Sequence, residues 1–447
     1  MRCLWVAVWL ALALPALAGP AVLTSDQMRL FGLEALTKGF ADQALGIAEA
    51  LLARDAGDSG ALVLKAEALR VLKRLPESEA AGRAAWNAAK DNGQRYSAAT
   101  AVAQALSLQN HRTTAQFWLR QAVQNAPNAG ARSQAVQDFN FVRDQNPLSL
   151  QFDASIRPSS NVNNGARDPF FRLGPFLLEI PGEQQALSGV VGSFGLSGKY
   201  RLAETQSQTT SLTFDASSQM VLLSQAARKI APLARNGSYA FETAGVGLER
   251  KLSFATGTNL TLAAALGHDW YGGADLSNHG TIEIDLDQPF APDLQGFASV
   301  SVQRQNRLDT HVASSTATDL SLGVAKQTGN GDVIRLTLNV DRTRSDAIGV
   351  DHSGLGASID WQRAKPVLGM GLAASLGVAR TDYQKSSFSF DGRHDTQLTA
   401  SLSATLNNIG YLGFSPVVSL TYAQNASNIP FDATQTFGLN LSVKSRF

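Results

Sequence analysis

Six histidines and a single cysteine are the side chains best suited to nucleophilic or metal chemistry in this 447-residue chain. His268 and Asp269 stand side by side, as a general base and its orienting carboxylate would, with a serine elsewhere as nucleophile. The residues around them alternate apolar and polar with a period of two, so the two side chains fall on opposite faces of a strand and cannot share one site. His279, His311, His352 and His394 are scattered, and none has the i, i+2 or i, i+4 partner that would hold a metal. A solvated position at a strand end accounts for each of them. No glycine-rich loop follows a strand and opens a helix, which leaves nucleotide binding unsupported. The reading is of a protein with no catalytic residues, no cofactor and no metal site.

The elements that would position any site fall into two classes, with the change near residue 148. From there to Phe447 the chain alternates. Leu148, Leu150, Phe152, Ala154 and Ile156 take one parity against Ser149, Gln151, Asp153, Ser155 and Arg157. Ile334, Leu336, Leu338 and Val340 oppose Arg335, Thr337, Asn339 and Asp341 in the same way, giving strands with one apolar and one polar face. Residues 24–146 are instead alanine-rich with helical spacing.

Net charge is +1, which gives no electrostatic bias toward nucleic acid. The first residues, with basic Arg2, an apolar stretch from Leu4 to Leu14 and small Ala16 and Ala18, predict a secretory signal peptide over residues 1–18, cut after Ala18. Pro15 interrupts the apolar run well before the roughly 18 residues a membrane anchor needs. Cys3 lies inside that segment, so the exported chain is expected to carry no thiol, disulfide or cysteine-linked lipid. The longest later apolar run, Leu368 to Ala379, is about a dozen residues, too short for a spanning helix, whereas a barrel strand needs only about 10.

The helical third reads as 34-residue hairpins. Gly32, Ala35, Gly39, Phe40 and Ala44 place small residues where two helices must approach, and Ala66 follows Gly32 at one repeat length. Ala99, Ala103, Leu106, Ala115, Leu119 and Ala122 make a third unit, with Pro127 where its second helix should stop. A single hairpin cannot bury its apolar face, so such units stack into a solenoid with a concave groove suited to a peptide or client protein. They resemble tetratricopeptide repeats; a plain alanine-rich bundle is the other reading. His111 and Trp118 fall either on that groove or in the core and surface of the module.

The alternating part resolves into fourteen candidate strands from about 148–157 to 435–447, separated by turn residues such as Gly329, Asn330, Gly331 and Asn407, Asn408, Gly410. So many long strands with one wholly wet face suit a sandwich poorly and suit a closed barrel in lipid, apolar side chains outward and polar ones toward a lumen. Tyr200, Trp270, Tyr271, Trp361, Tyr383, Tyr411 and Tyr422 near strand ends would form aromatic girdles. The fold expected is therefore a helical-repeat solenoid at 24–146 followed by a fourteen-stranded antiparallel transmembrane β-barrel at 148–447. Phe437, Leu439, Leu441, Val443 and terminal Phe447 resemble the C-terminal signal that directs bacterial outer-membrane barrels to their assembly machinery. That resemblance implies the outer membrane of a Gram-negative bacterium, with the helices in the periplasm.

At the junction, Asn146-Pro147-Leu148-Ser149-Leu150 and then Pro158, Ser159, Ser160, Asn161, Val162, Asn163 and Asn164 resemble the barrel entry of the surface lipoprotein assembly modifier (Slam) family. Pro158 is expected to stop the first strand, with serines and asparagines bonding their own backbone in successive turns; either a rigid turn or a client contact fits. The resemblance spans nearly the whole chain after the signal. It implies a non-enzymatic translocator whose repeats capture a client, a surface lipoprotein or a small secreted haem-binding protein, and whose barrel gives it passage. Outer-membrane lipid and the barrel-assembly machinery are the other partners implied, with no nucleic acid. An exopolysaccharide export porin with a periplasmic repeat module is the alternative, though it would favour longer repeat arrays and a more strongly charged lumen than a chain with 17% charged residues supplies.

Overall fold

The computed structural model describes residues 23–173 and 175–445. The expected signal segment and Phe447 lie outside those residues. The chain divides into two compact units, one ending at Val142 and one beginning at Arg143.

Seven helices are described in the first unit and its edge: α1 (Ser25–Thr37), α2 (Ala41–Arg54), α3 (Ser59–Val71), α4 (Leu75–Ala88), α5 (Asn92–Leu108), α6 (Arg112–Asn125) and α7 (Ala129–Gln145). Thr24, Asp58 and Asp91 cap α1, α3 and α5 by accepting the N–H groups of Gln27, Ala61 and Gln94, each satisfying one of a helix start's orphan donors. Within each hairpin the chain turns through one left-handed residue, Gly39, Lys73 or Asn110. The next N–H reaches back into the helix: Phe40 to the Ala35 carbonyl (2.8 Å), Arg74 to Leu69 (2.9 Å) and His111 to Leu106 (2.9 Å). One C-terminal motif used three times makes α1–α2, α3–α4 and α5–α6 the same structural unit. Pro127 lies just past the end of α6.

Small residues set the helix spacing. Ala44, Ala66, Ala115 and Ala122 are fully buried, and a Cβ on Gly32 would stand 2.3 Å from Leu64 Cδ2, so the Leu64 side chain of α3 packs directly onto the backbone of α1. Trp118 is in the core, edge-on to Trp86 at 5.3 Å, and His111 sits exposed at the start of α6. Neither lines the groove.

The second unit opens with β1 (Leu148–Ser159), then a small hairpin of β2 (Phe170–Leu173) and β3 (Phe176–Glu179). There follow β4 (Gly189–Glu204), β5 (Gln208–Leu223), the short helix α8 (Gln225–Ile230), β6 (Phe241–Ser253), β7 (Asn259–Tyr271), β8 (Ala274–Ala291), β9 (Leu294–Arg307) and β10 (Ser315–Gln327). The last strands are β11 (Val333–Ser345), β12 (His352–Gln362), β13 (Met370–Tyr383), β14 (Arg393–Leu406), β15 (Phe414–Ser427) and β16 (Thr434–Ser445). Apart from β2 and β3, these fourteen strands close into one antiparallel barrel in chain order, with β1 between β4 and β16.

Closure leaves no free sheet edge, which is what hydrocarbon requires of a spanning sheet. The predicted parity is kept. Leu286, Leu322, Leu338, Leu376, Leu402 and Leu439 all stand exposed on the outer face, and the intervening polar residues face the lumen. Tyr200 and Trp361 sit near the short-turn end and Trp270 near the other, as girdle residues do, whereas Tyr383 turns inward beneath Arg393, 3.5 Å from its ring.

One expectation changes. Pro158 does not end β1, because it is paired with Val190 and the strand runs on to Ser159. The turn before β15 runs to Gly413, with Leu412 and Gly413 both at positive φ (51° and 79°), and the strand starts at Phe414. A Leu there is backbone strain that an Asn or Gly would relieve.

The wall itself makes a simple prediction. Leu338→Arg, mid-strand on the outer face, should destabilise the barrel in lipid vesicles by about 2–4 kcal/mol, while Thr337→Arg one residue away, facing the lumen, should cost far less. Urea unfolding followed by loss of the heat-modifiable band on gels measures both.

Candidate functional site

The helical unit presents a groove along α1, α3 and α5, the first helix of each hairpin. It has a volume of about 540 Å³ and is lined by Arg29, Leu33, Val63, Glu67, Tyr96 and Thr100 among others. Arg29 is held by Asp58 at 2.8 Å, and Asp58 also caps α3, so one carboxylate fixes both the helix start and the groove's cation. Burial pushes the Glu67 carboxyl up from its ordinary range, more than nearby Arg70 holds it down.

In the barrel, one end carries short turns and the other carries the long connections 160–188 and 224–240, the asymmetry of an outer-membrane barrel with its long loops outside. The stretch from Pro158 to Asn164 begins the longest loop. Ser159 Oγ donates to the Asn161 carbonyl (3.1 Å) and accepts from its N–H (3.2 Å). The buried Asn161 side chain brackets Gly165, donating to its carbonyl and accepting its N–H, both at 2.9 Å. Asn163 reaches across the loop instead: its amide donates to the Glu183 and Gln185 carbonyls (3.0 and 2.8 Å) and its oxygen accepts the Leu187 N–H (2.9 Å). Asn164 takes a left-handed turn, φ 52°, which asparagine tolerates better than most residues. Glycines at 165 and 182 allow the closest approaches, since a Cβ would meet the Gln185 carbonyl oxygen at 2.2 Å and the Ile230 carbonyl oxygen at 2.1 Å.

Ser160 does something different. Its N–H donates to the Phe437 carbonyl (3.1 Å) and its hydroxyl accepts the Phe437 N–H (2.9 Å), joining the end of β1 to β16 across the line where the barrel closes. Arg167 N–H adds a bond to the Ala433 carbonyl (2.8 Å).

The loop then spans the mouth. Leu187, with Val162 against it, packs into an apolar cluster with Val191, Val221, Leu223, Ala227 and Ala231. Val191 and Val221 have the lumen-facing parity, so this cluster is built inside the rim. Farther on, Phe171 lies 4.2 Å from Phe431 of the β15–β16 loop, and Phe388 of the β13–β14 loop stacks on Phe431 from 5.1 Å. Pro181 and Gln184 border a cavity of about 580 Å³ shared with Ile348, Phe388, Arg393 and Asp432. Arg393 pairs with Asp432 (2.8 Å) and Asp395 (3.3 Å), tying two of these loops together. The mouth is roofed by loops that hold one another.

Below, the lumen carries both signs of charge. Lys199 pairs with Glu249 (2.5 Å), and Arg335 lies 4.2 Å over the Phe297 ring. Asp269 and His268 face opposite ways: His268 meets Asn278 and Asp275 on one face, while buried Asp269 accepts from Ser277 (2.7 Å) and contacts His279 (3.0 Å) on the other. Here the carboxylate sits between serine and imidazole, so the serine proton points at Asp269 and not at the imidazole. The cluster fastens β7 to β8. Among the described residues, no three His, Cys, Asp or Glu side chains converge as a metal site would.

Of the residues singled out in the sequence, Pro158 to Asn164 come together as one clasp at the barrel rim. Phe437, Leu439, Leu441 and Val443 line the outer face of β16. The loop anchors Leu187, Phe171, Phe431 and Arg393 were not anticipated. Two short apolar runs flanking Gly174-Pro175 were the readable sign that the long loop has structure of its own.

Asn161→Ala with Asn163→Ala should free the loop, at a cost of about 1–3 kcal/mol for each buried polar group left unpaired. The expected readouts are faster protease cleavage between 165 and 185 and larger single-channel conductance in planar bilayers. Glu67→Gln should stabilise the helical unit at neutral pH. Because the folded pKa is raised, the wild-type contribution is fully present below the ordinary Glu range and is lost as pH rises through the elevated value. The variant's advantage should therefore vanish in acid, as thermal melts at pH 4 and pH 7.5 would show.

No curated relative matches the chain. Among solved structures it is similar to a bacterial polysaccharide outer membrane secretin, at 9% identity over 66% of this chain and 98% of that one, with a TM-score of 0.34. An anion-selective porin from Comamonas acidovorans (10%, 67% and 99%, TM-score 0.35) and a BenF-like porin from Pseudomonas fluorescens (9%, 66% and 99%, TM-score 0.36) are similarly distant. No functional conclusion follows from likeness at that level. The family match is of another kind: it starts at the entry to β7 and runs to the chain's last residue, leaving out the Pro158–Asn164 clasp and the helices. Residues 258–447 match the surface lipoprotein assembly modifier family, and with its closed fourteen-stranded barrel behind a helical region the chain is a Slam-like protein of the outer membrane.

Proposed function

We propose that this protein delivers particular client proteins, surface lipoproteins or small secreted haem-binding proteins, across the outer membrane. The observation that carries the reading is the family match over residues 258–447 on a chain that also bears a helical groove. In this reading the helices are a tetratricopeptide-like receiving module on the periplasmic side. Glu67, Arg29 and Tyr96 offer the charged and aromatic contacts by which such grooves hold an extended peptide. The roofed mouth also fits a translocator better than a diffusion pore, since loops that bond one another across the opening would obstruct free solute flow. The outward Phe437, Leu439, Leu441 and Val443 fit a role in recognition by the barrel-assembly machinery.

The test is co-expression with a lipoprotein or small secreted protein encoded beside this chain, scoring the partner's sensitivity to external protease. Deleting residues 24–146 should leave a heat-modifiable barrel in the membrane and abolish the partner's exposure. Exposure that persists after deletion of the whole chain would sink the reading.

A further inference from the structure

Toward the long-loop end of β7 to β11, the outward face of the barrel changes character. Ile282, Val302, Leu320 and Val340 are exposed there, the wall that acyl chains cover. Beyond them the same parity turns polar. The register sets His268, Asn278 and Asn306 opposite one another in one row, and Arg304, Thr316 and Arg344 in another, on β9, β10 and β11. Trp270 lies 4.3 Å from His268, a tryptophan at the level where headgroups begin.

The two arginines of the second row are without a counter-charge. Arg304 donates only to neutral oxygens, Asn306 Oδ1 (3.2 Å) and Thr316 Oγ1 (3.1 Å). Arg344, exposed across β10 from it, makes no hydrogen bond or ion pair among the described residues. The carboxylates near this end are taken: Asp275 contacts His268, Asp309 holds Arg307 and Asp351 holds Arg342. Asp346 stands past the end of β11. Arg380, exposed on the outward face of β13, shows the contrasting arrangement, with Asp382 at 3.1 Å.

We infer that Arg304 and Arg344, with Thr316 between them, bind the phosphate headgroup of a lipid in the outer leaflet. Two strand spacings separate their backbones, about 10 Å, a span that two arginine side chains can close onto one headgroup. Guanidinium suits the task, because its planar donors match phosphate oxygens and it stays charged at any physiological pH. The Thr316 hydroxyl accepts from Arg304 and keeps its own proton to give to the same phosphate. What selects a lipid over a free anion is the wall beneath: a headgroup on these arginines lays its acyl chains on Ile282, Val302, Leu320 and Val340. A lipid so held fixes the height of β9 to β11 in the leaflet. The assignment stands apart from the translocator reading, since it needs only the barrel in its membrane.

The test uses the purified full-length protein in phosphatidylcholine nanodiscs doped with lipid A as the probe, with native mass spectrometry reading the lipid retained. Wild type should retain lipid A and hold the form stripped of its phosphates roughly tenfold more weakly. Arg304→Gln with Arg344→Gln should lower retention of lipid A by a similar factor, and Arg380→Gln should leave it unchanged. Arg344→Gln alone removes no contact of the fold and should still weaken retention severalfold, which keeps the test decisive if the double variant does not fold. No retention by wild type, equal retention of the two lipid forms, or wild-type retention by Arg344→Gln and the double variant would each overturn the assignment. Displacement of lipid A by millimolar inorganic phosphate would overturn it in favour of a free-anion site. A dimer carrying no lipid would overturn it in favour of an interface between copies of this chain.

Discussion

Everything in the second unit depends on one requirement: a backbone in hydrocarbon must satisfy its own hydrogen bonds. Thirteen of the fourteen seams join strands that follow one another along the chain, so their pairing needs only a turn or loop to close. The fourteenth must bring together segments far apart in sequence; Ser160 and Phe437 are separated by 277 residues. Ordering that contact carries the largest loop-closure entropy in the barrel, and β1 is steadied at both ends to meet it. At the inner end the Arg201 N–H bonds the Pro147 carbonyl (2.8 Å) and its guanidinium the Asp144 carbonyl (3.1 Å). At the outer end Ser160 carries the ladder on by one further exchange with Phe437.

The same requirement shapes the loop above. A segment of nearly thirty residues leaving a membrane rim carries many polar groups of its own, and two of its residue types answer that need locally. Asn161 satisfies Gly165, Asn163 satisfies three backbone groups of the returning strand of the loop, and Gly165 and Gly182 let carbonyls approach where any Cβ would collide. Once its backbone is paired, the loop can bury Leu187 and Ile180 completely and seat Phe171 on Phe431. Apolar burial then holds the roof in place, but it is available only because the asparagines have removed the polar cost first.

The parts of this architecture that were legible in the sequence are those governed by local periodicity. Alternation located all fourteen barrel strands and their faces, because parity is a property of each segment alone. Small residues at hairpin spacing located the helices for the same reason. Pro158 misled, since proline ordinarily ends a strand; it is accommodated because one side of β1 faces the sparsely paired seam. Closure implied that β1 pairs with β16, but the register of that pairing was not legible at all. Register between strands almost a whole domain apart leaves no mark on either one, and the orphaned Asn440 oxygen appears only once the partner is in place. His268 and Asp269 were separable from sequence by strand parity, whereas the partners of Asp269, Ser277 and His279, come from the next strand and required its register.

The clasp constrains how the wall can move. A seam paired along its full length resists opening everywhere, and a seam unpaired along its full length would not hold a barrel closed. Here, among the described residues, the bonds of Ser155, Ile156, Ser159 and Ser160 to β16 are gathered toward the outer half of β1. Any parting of β1 from β16 has to break or turn on those bonds, with Ser160 and the loop it anchors at the pivot. The roof and the seam are then mechanically one device. Rotation at Ser160 strains the Asn161–Gly165 and Arg167–Ala433 bonds directly, because Asn161, Gly165 and Arg167 all lie within eight residues of the pivot. A residue set of serines and asparagines suits such a pivot: each makes short, directional bonds of about 1 kcal/mol net, strong enough in sum to hold the closed state and individually weak enough to exchange.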